Sequence, residues 1–320
     1  MDQTSAILSP FSFAVFRLTI EAIEPLHLPP FKGSAIRGSF GLMFRRVVCP
    51  LTRTECGDCH LSEECVYSYI FETFPPKDDP FIRNKDQASH PYILRPPLDG
   101  KEEYEPGEEL MFELVLVGRA VEYLPYFAYT FIHAGKRGLG RGRGQFFLKR
   151  IDSLDMNGTL TPVYLDADQL LRNETIHISC GELLERRPPP DQCTFRFVTR
   201  LEIKAKGKYP EITFGLLFRS LMRRITTLAY LHGGIDKCRE IDFRGLSHAA
   251  EEIRTVSSDL YREDAVRYSN RQKQRMPFGG MLGEITFEGD MSPFWPFLLP
   301  GEWVHVGKKT SFGLGQYVLD

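Results

Sequence analysis

At 320 residues, with 42% hydrophobic and 26% charged side chains, the chain has a globular composition and the length for two domains of ordinary size. No apolar run reaches the roughly 20 residues a membrane span needs, and the N-terminus lacks the basic, apolar, small-residue order of a signal peptide, so a cytoplasmic protein without a membrane partner is expected. Lys and Arg number 40 against 42 Asp and Glu, a net charge of -2, so any polyanion must bind a local patch rather than the molecule as a whole.

The first element is Ser12–Ala22, where Phe16, Leu18 and Ile20 alternate with Arg17, Thr19 and Glu21 at the period of a half-buried strand. Leu28-Pro29-Pro30 ends it. In Gly33–Val48 the residues Ile36, Phe40, Phe44 and Val47 recur at helical spacing, and Arg37, Gly41 and Arg45 form an adjacent stripe, the pattern of a basic amphipathic helix. Its Gly33, Gly38 and Gly41 are poor helix formers and are expected to permit close packing or a ligand's approach. After an acidic stretch, residues 110–117 read as a strand, 120–134 as a helix capped by Gly135, and 146–151 as a closing strand. With Tyr92-Ile93-Leu94 as a further strand the order is β-α-β-β-α-β, the ferredoxin-like arrangement.

Residues 153–192, with Arg186-Arg187-Pro188-Pro189-Pro190 near their end, show little periodicity and are expected to connect, with some strand content, an N-terminal domain, 1–152, to a C-terminal domain, 193–320. The second half repeats the first. Residues 195–203 alternate as a strand, Phe214–Leu231 is a helix, and its paired Arg223-Arg224 falls in register with Arg45-Arg46. The motif Gly142-Arg143-Gly144-Gln145-Phe146-Phe147-Leu148 returns as Gly313-Leu314-Gly315-Gln316-Tyr317-Val318-Leu319. Each copy follows a basic Gly-led segment, with Lys136, Arg137 and Arg141 in one and Lys308 and Lys309 in the other. Such a loop is either a tight turn into a final strand or a phosphate cradle, in which glycines let backbone N–H groups approach and cations hold the charge. The expected fold class is therefore α+β, with two tandem ferredoxin-like domains.

Cys49, Cys56, Cys59 and Cys65 fall within seventeen residues, and Cys56-Gly57-Asp58-Cys59 has the spacing that lets two thiolates grip one tetrahedral ion. A structural zinc fixing an insertion at 49–65 is expected, with His60 as a substitute ligand. The outer spacings of six and five are loose, so packed thiols and redox chemistry remain alternatives. The run Arg267-Tyr268-Ser269-Asn270-Arg271-Gln272-Lys273-Gln274-Arg275 interleaves cations, amides and one aromatic, which suits phosphate contact and base stacking or a solvated loop equally. The eight histidines form no HxxxH pair, and no Walker A or GxGxxG is present. His305 abuts the second Gly-cation loop and His27 precedes the first helix.

Three segments carry a resemblance: residues 32–41 (Lys-Gly-Ser-Ala-Ile-Arg-Gly-Ser-Phe-Gly), residues 267–272, and residues 305–315 (His-Val-Gly-Lys-Lys-Thr-Ser-Phe-Gly-Leu-Gly). Together they resemble the CRISPR RAMP-superfamily endoribonuclease that processes precursor CRISPR RNA. The resemblance spans nearly the whole chain. It implies tandem ferredoxin-like domains, CRISPR repeat RNA as partner alongside other Cas proteins, and cleavage without a metal. In that chemistry a ribose 2'-hydroxyl attacks the adjacent phosphorus, leaving a 2',3'-cyclic phosphate and a 5'-hydroxyl. A base, an acid and cations suffice for it. The expected catalytic group is His305, with Tyr268 or Arg271 assisting and Lys308 stabilising charge; His27 competes, because the family often places a histidine near the first helix. The expected RNA contacts are Lys32, Arg37, Arg45, Arg46, Lys136, Arg137, Arg141, Arg143, Lys308, Lys309, Gly313 and Gly315. A non-catalytic RAMP subunit holding guide RNA is the alternative, and a zinc-clipped RNA-binding module outside CRISPR a more remote one.

Overall fold

The computed structural model describes residues 3–320 apart from 52–53, 76–78, 80, 83–87, 204–209 and 270–272. The chain divides into two compact units, one of residues 13–178 and one of residues 1–12 with 179–320.

The first unit contains β1 (Ser12–Ala22), β2 (Leu26–His27), α1 (Gly33–Val48), β3 (Tyr92–Arg95), β4 (Glu103–Tyr104), β5 (Glu109–Val117), α2 (Leu124–Arg137), β6 (Phe146–Leu154) and β7 (Leu160–Leu165). Its sheet runs β3-β5-β1-β6-β7, and each of these pairings is antiparallel. Leu18 sits at the centre, opposite Phe112 of β5 and Ile151 of β6. Leaving aside the small β2-β4 pair and the added β7, the strands occur in space as second, third, first, fourth, which is the ferredoxin-like order. Phe40 of α1 anchors the core, stacked on Phe127 at 4.9 Å and Phe131 at 5.2 Å of α2. The expected α1 bounds are the observed ones, and Gly41 is where Phe71 comes close: a Cβ there would stand 3.1 Å from its ring. The α2 segment differs from expectation. A 3-10 turn over Gly118–Tyr123 precedes it, Pro125 fits its first turn because no N–H is needed there, and Gly138, at φ 84°, replaces Gly135 as cap. Gly135 is inside the helix, where a Cβ would meet the Phe146 carbonyl at 2.1 Å.

The second unit contains β8 (Gln192–Leu201), α3 (Phe214–Leu231), β9 (Arg254–Ser258), β10 (Val266–Ser269), β11 (Gln274–Pro277), β12 (Gly280–Glu288), α4 (Trp295–Val304) and β13 (Tyr317–Leu319). Its sheet order is β9-β12-β8-β13, again second, third, first, fourth, and the duplication read from sequence is a duplication of topology. Phe218 of α3 takes the place of Phe40, with Phe294 at 4.7 Å and Phe297 at 5.4 Å. Residues 153–192 are not a bare connection. They complete β6, supply β7, and form a short helix, Cys180–Arg186, opened by a capping box between Ser179 and Glu182. The division of the chain accordingly falls after residue 178. Among the described residues no helix is long and apolar enough to cross a membrane.

Candidate nucleic-acid interface

In the first unit, α1 buries Ile36, Phe40 and Phe44 and turns Arg46 outward, while α2 ends on Lys136 and Arg137. Arg46 and Arg143 both act on Arg137, and with partial burial they hold its guanidinium below its ordinary range, Arg46 contributing most. Three arginines from two helix ends and one loop thus crowd together, and no carboxylate is among the groups acting on Arg137. The loop itself is shaped by glycine. Arg141 N–H donates to the His27 carbonyl at 2.9 Å, and a Cβ on Gly140 would stand 2.2 Å from that oxygen, so only glycine admits the approach. Gly142 at the tip has open space around it, and Arg141 and Arg143 beside it are exposed. His27, across this bridge, has a side chain 53% exposed, with Nδ1 3.7 Å from Glu103 Oε1.

Three of the expected RNA contacts in this unit are occupied internally. Lys32 is 0% exposed and its Nζ donates to Asp99 at 2.7 Å, an ion pair that fastens the start of α1. Arg37 lies 4.7 Å from the Phe71 ring and Arg45 5.6 Å from that of Tyr67, with Arg45 Nη2 donating to the Thr54 carbonyl at 3.1 Å. These two arginines hold Phe71 and Tyr67, just after the 49–65 insertion, against α1 by cation–π contact.

In the second unit the Gly-rich loop after α4 packs inward. Lys308 N–H donates to Glu202 O at 2.8 Å, Gly315 N–H to Arg200 O at 3.0 Å, and the Thr199 hydroxyl to Gly313 O at 2.8 Å. The two loops of the duplication therefore do the same thing, each threading an N–H onto a carbonyl shortly after the unit's first strand. Gly315, at φ 72°, would put a Cβ 1.8 Å from Val306 O; it and Gly313 are buried and serve packing rather than a ligand's approach. Lys309 is paired with the buried carboxylate of Glu202 and donates to Pro277 O at 2.8 Å. Lys308 is exposed.

The β10-β11 hairpin stands beside this loop. Arg267 lies 4.5 Å from the Phe312 ring and 5.7 Å from Phe278, so cation–π contact ties hairpin to loop. Opposite one another on the hairpin are Tyr268, 57% exposed, and Arg275. Arg271 lies outside the described residues. His305 is 0% exposed, adopts φ 63° where α4 ends, and its Nδ1 is 3.1 Å from the Leu314 carbonyl. Arg224 of α3, also buried, donates Nε to the Val304 and His305 carbonyls at 2.8 and 3.1 Å. Arg224 and His305 together lock the end of α4 to the Gly-rich loop. A general base must come within hydrogen-bond reach of its proton, and an imidazole enclosed on all sides does not; this geometry makes His305 a support of the loop.

The four insertion cysteines are all partly exposed and unbridged. Among the described residues no three Cys, His, Asp or Glu side chains gather as a metal-binding group, so the expected tetrahedral shell of Cys49, Cys56, Cys59 and Cys65 is not formed by this arrangement. Cys49, Cys56 and Cys65 pack instead against the aromatic core. The Cys56 thiol is pushed up, first by burial and then by Glu72. Sequence reasoning missed the outward face of α2, with Tyr126 42% and Tyr129 52% exposed; its signal was present in the helical spacing of residues 126, 129 and 133.

Residues 11–176 match a family model described as an N-terminal domain, and residues 194–317 match that of the CRISPR-associated endoribonuclease Cas6. An uncharacterized protein of Archaeoglobus fulgidus is 25% identical over 311 residues, 96% of this chain and 98% of its own. Among solved structures, Thermus thermophilus Cas6 in a product complex superposes with TM-score 0.54 at 17% identity, over 96% of this chain and 99% of that one. A Cas6-RT-Cas1–Cas2 complex gives TM-score 0.56 at 14% identity, over 98% of this chain and 29% of that one. At these identities the superpositions show a shared fold. Two β-α-β-β-α-β units in tandem, each closed by a Gly-rich loop, a Cas6 endoribonuclease match over residues 194–317 and the fold shared with Cas6 structures support a CRISPR-associated RAMP-type Cas6 protein.

Proposed function

We propose that the chain binds the repeat segment of precursor CRISPR RNA and cuts it without a metal, leaving a 2',3'-cyclic phosphate and a 5'-hydroxyl. The observation that carries this reading is the set of exposed cations Arg46, Lys136, Arg141 and Arg143, at the ends of α1 and α2 and in the loop that follows, on a chain whose net charge is -2. Like charges are held together at a cost, and a polyanion that neutralises them recovers it while releasing its counterions. His27 is the base in this reading, supported by its exposure, its backbone bridge to Arg141 and its position at the edge of the arginine cluster's loop. In the proposed step His27 takes the proton of the 2'-hydroxyl, the 2'-oxygen bonds to phosphorus, and the bond to the 5'-oxygen breaks as that oxygen takes a proton from a water molecule. Arg141 and Arg143 offset the charge on the phosphorane. Tyr268, Arg275 and Lys308 serve as RNA contacts in the second unit, and other Cas proteins are further partners.

A second reading, a RAMP subunit that holds guide RNA without cutting, is favoured by two facts: α1 contains no histidine, and His305 is enclosed. One experiment separates them. Incubation with CRISPR repeat RNA in EDTA should yield a single cut whose upstream fragment ends in a cyclic phosphate. Binding without a cut assigns the chain to the second reading, and neither binding nor cutting removes both.

A further inference from the structure

The two helices on the first unit's sheet are unequal in what they leave outside. On α2 the positions 126, 129, 133, 136 and 137 fall, at 3.6 residues per turn, within an arc of about 100°. The opposite arc buries Leu124, Phe127, Ala128, Phe131 and Ala134. Tyr126 and Tyr129 are 42% and 52% exposed, far beyond what the core requires of them. The His133 ring lies 4.3 Å from that of Tyr129, edge to face. The aromatic surface continues backward, since Tyr123 is 6.1 Å from Tyr126 and 5.4 Å from Tyr69. At its other end the stripe runs into exposed Lys136 and the cluster of Arg137, Arg46 and Arg143. Glu122 stands near the Tyr69 end, and among the described residues no acid is a cause of the Arg137 shift.

We infer that the outward face of α2 is a track for single-stranded RNA, whose unpaired bases stack on Tyr126, Tyr129 and His133 while its phosphates meet Lys136, Arg137, Arg46 and Arg143. From Tyr126 to Arg137 the helix rises about 16 Å, enough for a few stacked nucleotides. Exposed aromatic rings at one-turn intervals offer surface to bases that are free of a duplex, and adjoining cations supply the backbone contact that such tracks need. Charge complementarity selects the occupant: the cluster repels itself and demands an anion, and the rings beside it are sequence-tolerant. The inference rests on the reading that this chain holds RNA and adds which part of the RNA lies here, a single-stranded flank rather than a paired stem.

The probes are a fluorescein-labelled oligouridylate of about twelve nucleotides and an RNA duplex of the same length, followed by anisotropy. Tyr126→Ala and Tyr129→Ala should each weaken oligouridylate binding about tenfold, and the double variant about a hundredfold, with little effect on the duplex. Tyr126→Phe with Tyr129→Phe should restore wild-type binding, because stacking needs the ring and not the hydroxyl. An unchanged melting temperature in every variant confirms that these exposed positions leave the fold intact. Oligouridylate binding unaltered by the double alanine variant overturns the inference and leaves the stripe to a protein partner; equal loss for oligouridylate and duplex overturns it in favour of the cations alone. Wild-type protein that cuts no repeat RNA yet holds oligouridylate through its tyrosines fails the processing reading and keeps this one.

Discussion

Two histidines that flank glycine-rich loops have opposite environments, and their difference is testable one residue at a time. His27→Ala should slow single-turnover cleavage of repeat RNA by about a hundredfold to ten-thousandfold at saturating protein, because proton transfer is lost while binding is kept. His305→Ala should act on stability instead, costing about 2 kcal/mol in urea titration, since it leaves the buried Leu314 carbonyl without its ring partner. A wild-type cleavage rate in His27→Ala, with normal binding, would remove that residue from the chemistry. Glu302 makes a pH prediction. Burial raises its carboxyl above the ordinary range even though Arg187 and the Leu319 N–H, 2.7 Å away, oppose the shift. Between the ordinary glutamate value and its raised folded value the native state binds more protons than the unfolded chain, so stability falls as pH rises through that window. Glu302→Gln should lack this fall when urea midpoints are compared between about pH 4 and about pH 7.

At the scale of the element, the duplicated loops separate glycines that are needed from one that is merely tolerated. Gly315 combines φ 72° with a Cβ position 1.8 Å from a backbone oxygen, whereas Gly142 has φ 85° and nothing within 4 Å. Gly315→Ala must therefore shift the backbone and should cost more than about 2 kcal/mol, while Gly142→Ala pays only the left-handed strain of about 1 kcal/mol. Thermal unfolding of the two variants checks the ordering; equal losses would mean that the loop yields freely at Gly315. The helices teach a related lesson. Arg45-Arg46 and Arg223-Arg224 occupy the same place in the repeat, yet Arg46 joins an exposed cation cluster and Arg224 is buried at the end of α4. Burial holds the Arg224 guanidinium down to about 9, still above neutrality, so it stays charged while bonded to two carbonyls.

For the whole molecule, a net charge of -2 means that RNA affinity is a property of a patch, and that patch should be removable without unfolding either unit. Replacing Arg46, Arg137 and Arg143 with Gln should weaken binding and make the slope of log affinity against log salt shallower by about 2, as expected for three lost phosphate contacts on a single strand. An unchanged slope would place the RNA elsewhere. Much of the architecture was legible beforehand: the strand over Ser12–Ala22, the helices Gly33–Val48 and Phe214–Leu231, and the repeat that relates the two units. Periodicity and local motifs report backbone geometry directly, because a helix or strand repeats its contacts every few residues. Exposure is another matter. That Lys32 is spent on Asp99, that Arg37 and Arg45 lie on Phe71 and Tyr67, and that Lys309 is held by Glu202 depends on partners from 22 to 107 positions away in the chain. The sequence by itself determined the two ferredoxin-like units and where cations are abundant. Only the tertiary structure decided which cations remain outside, which histidine faces solvent and whether the four thiols converge, because each of those is set by contacts between segments that local patterning does not encode.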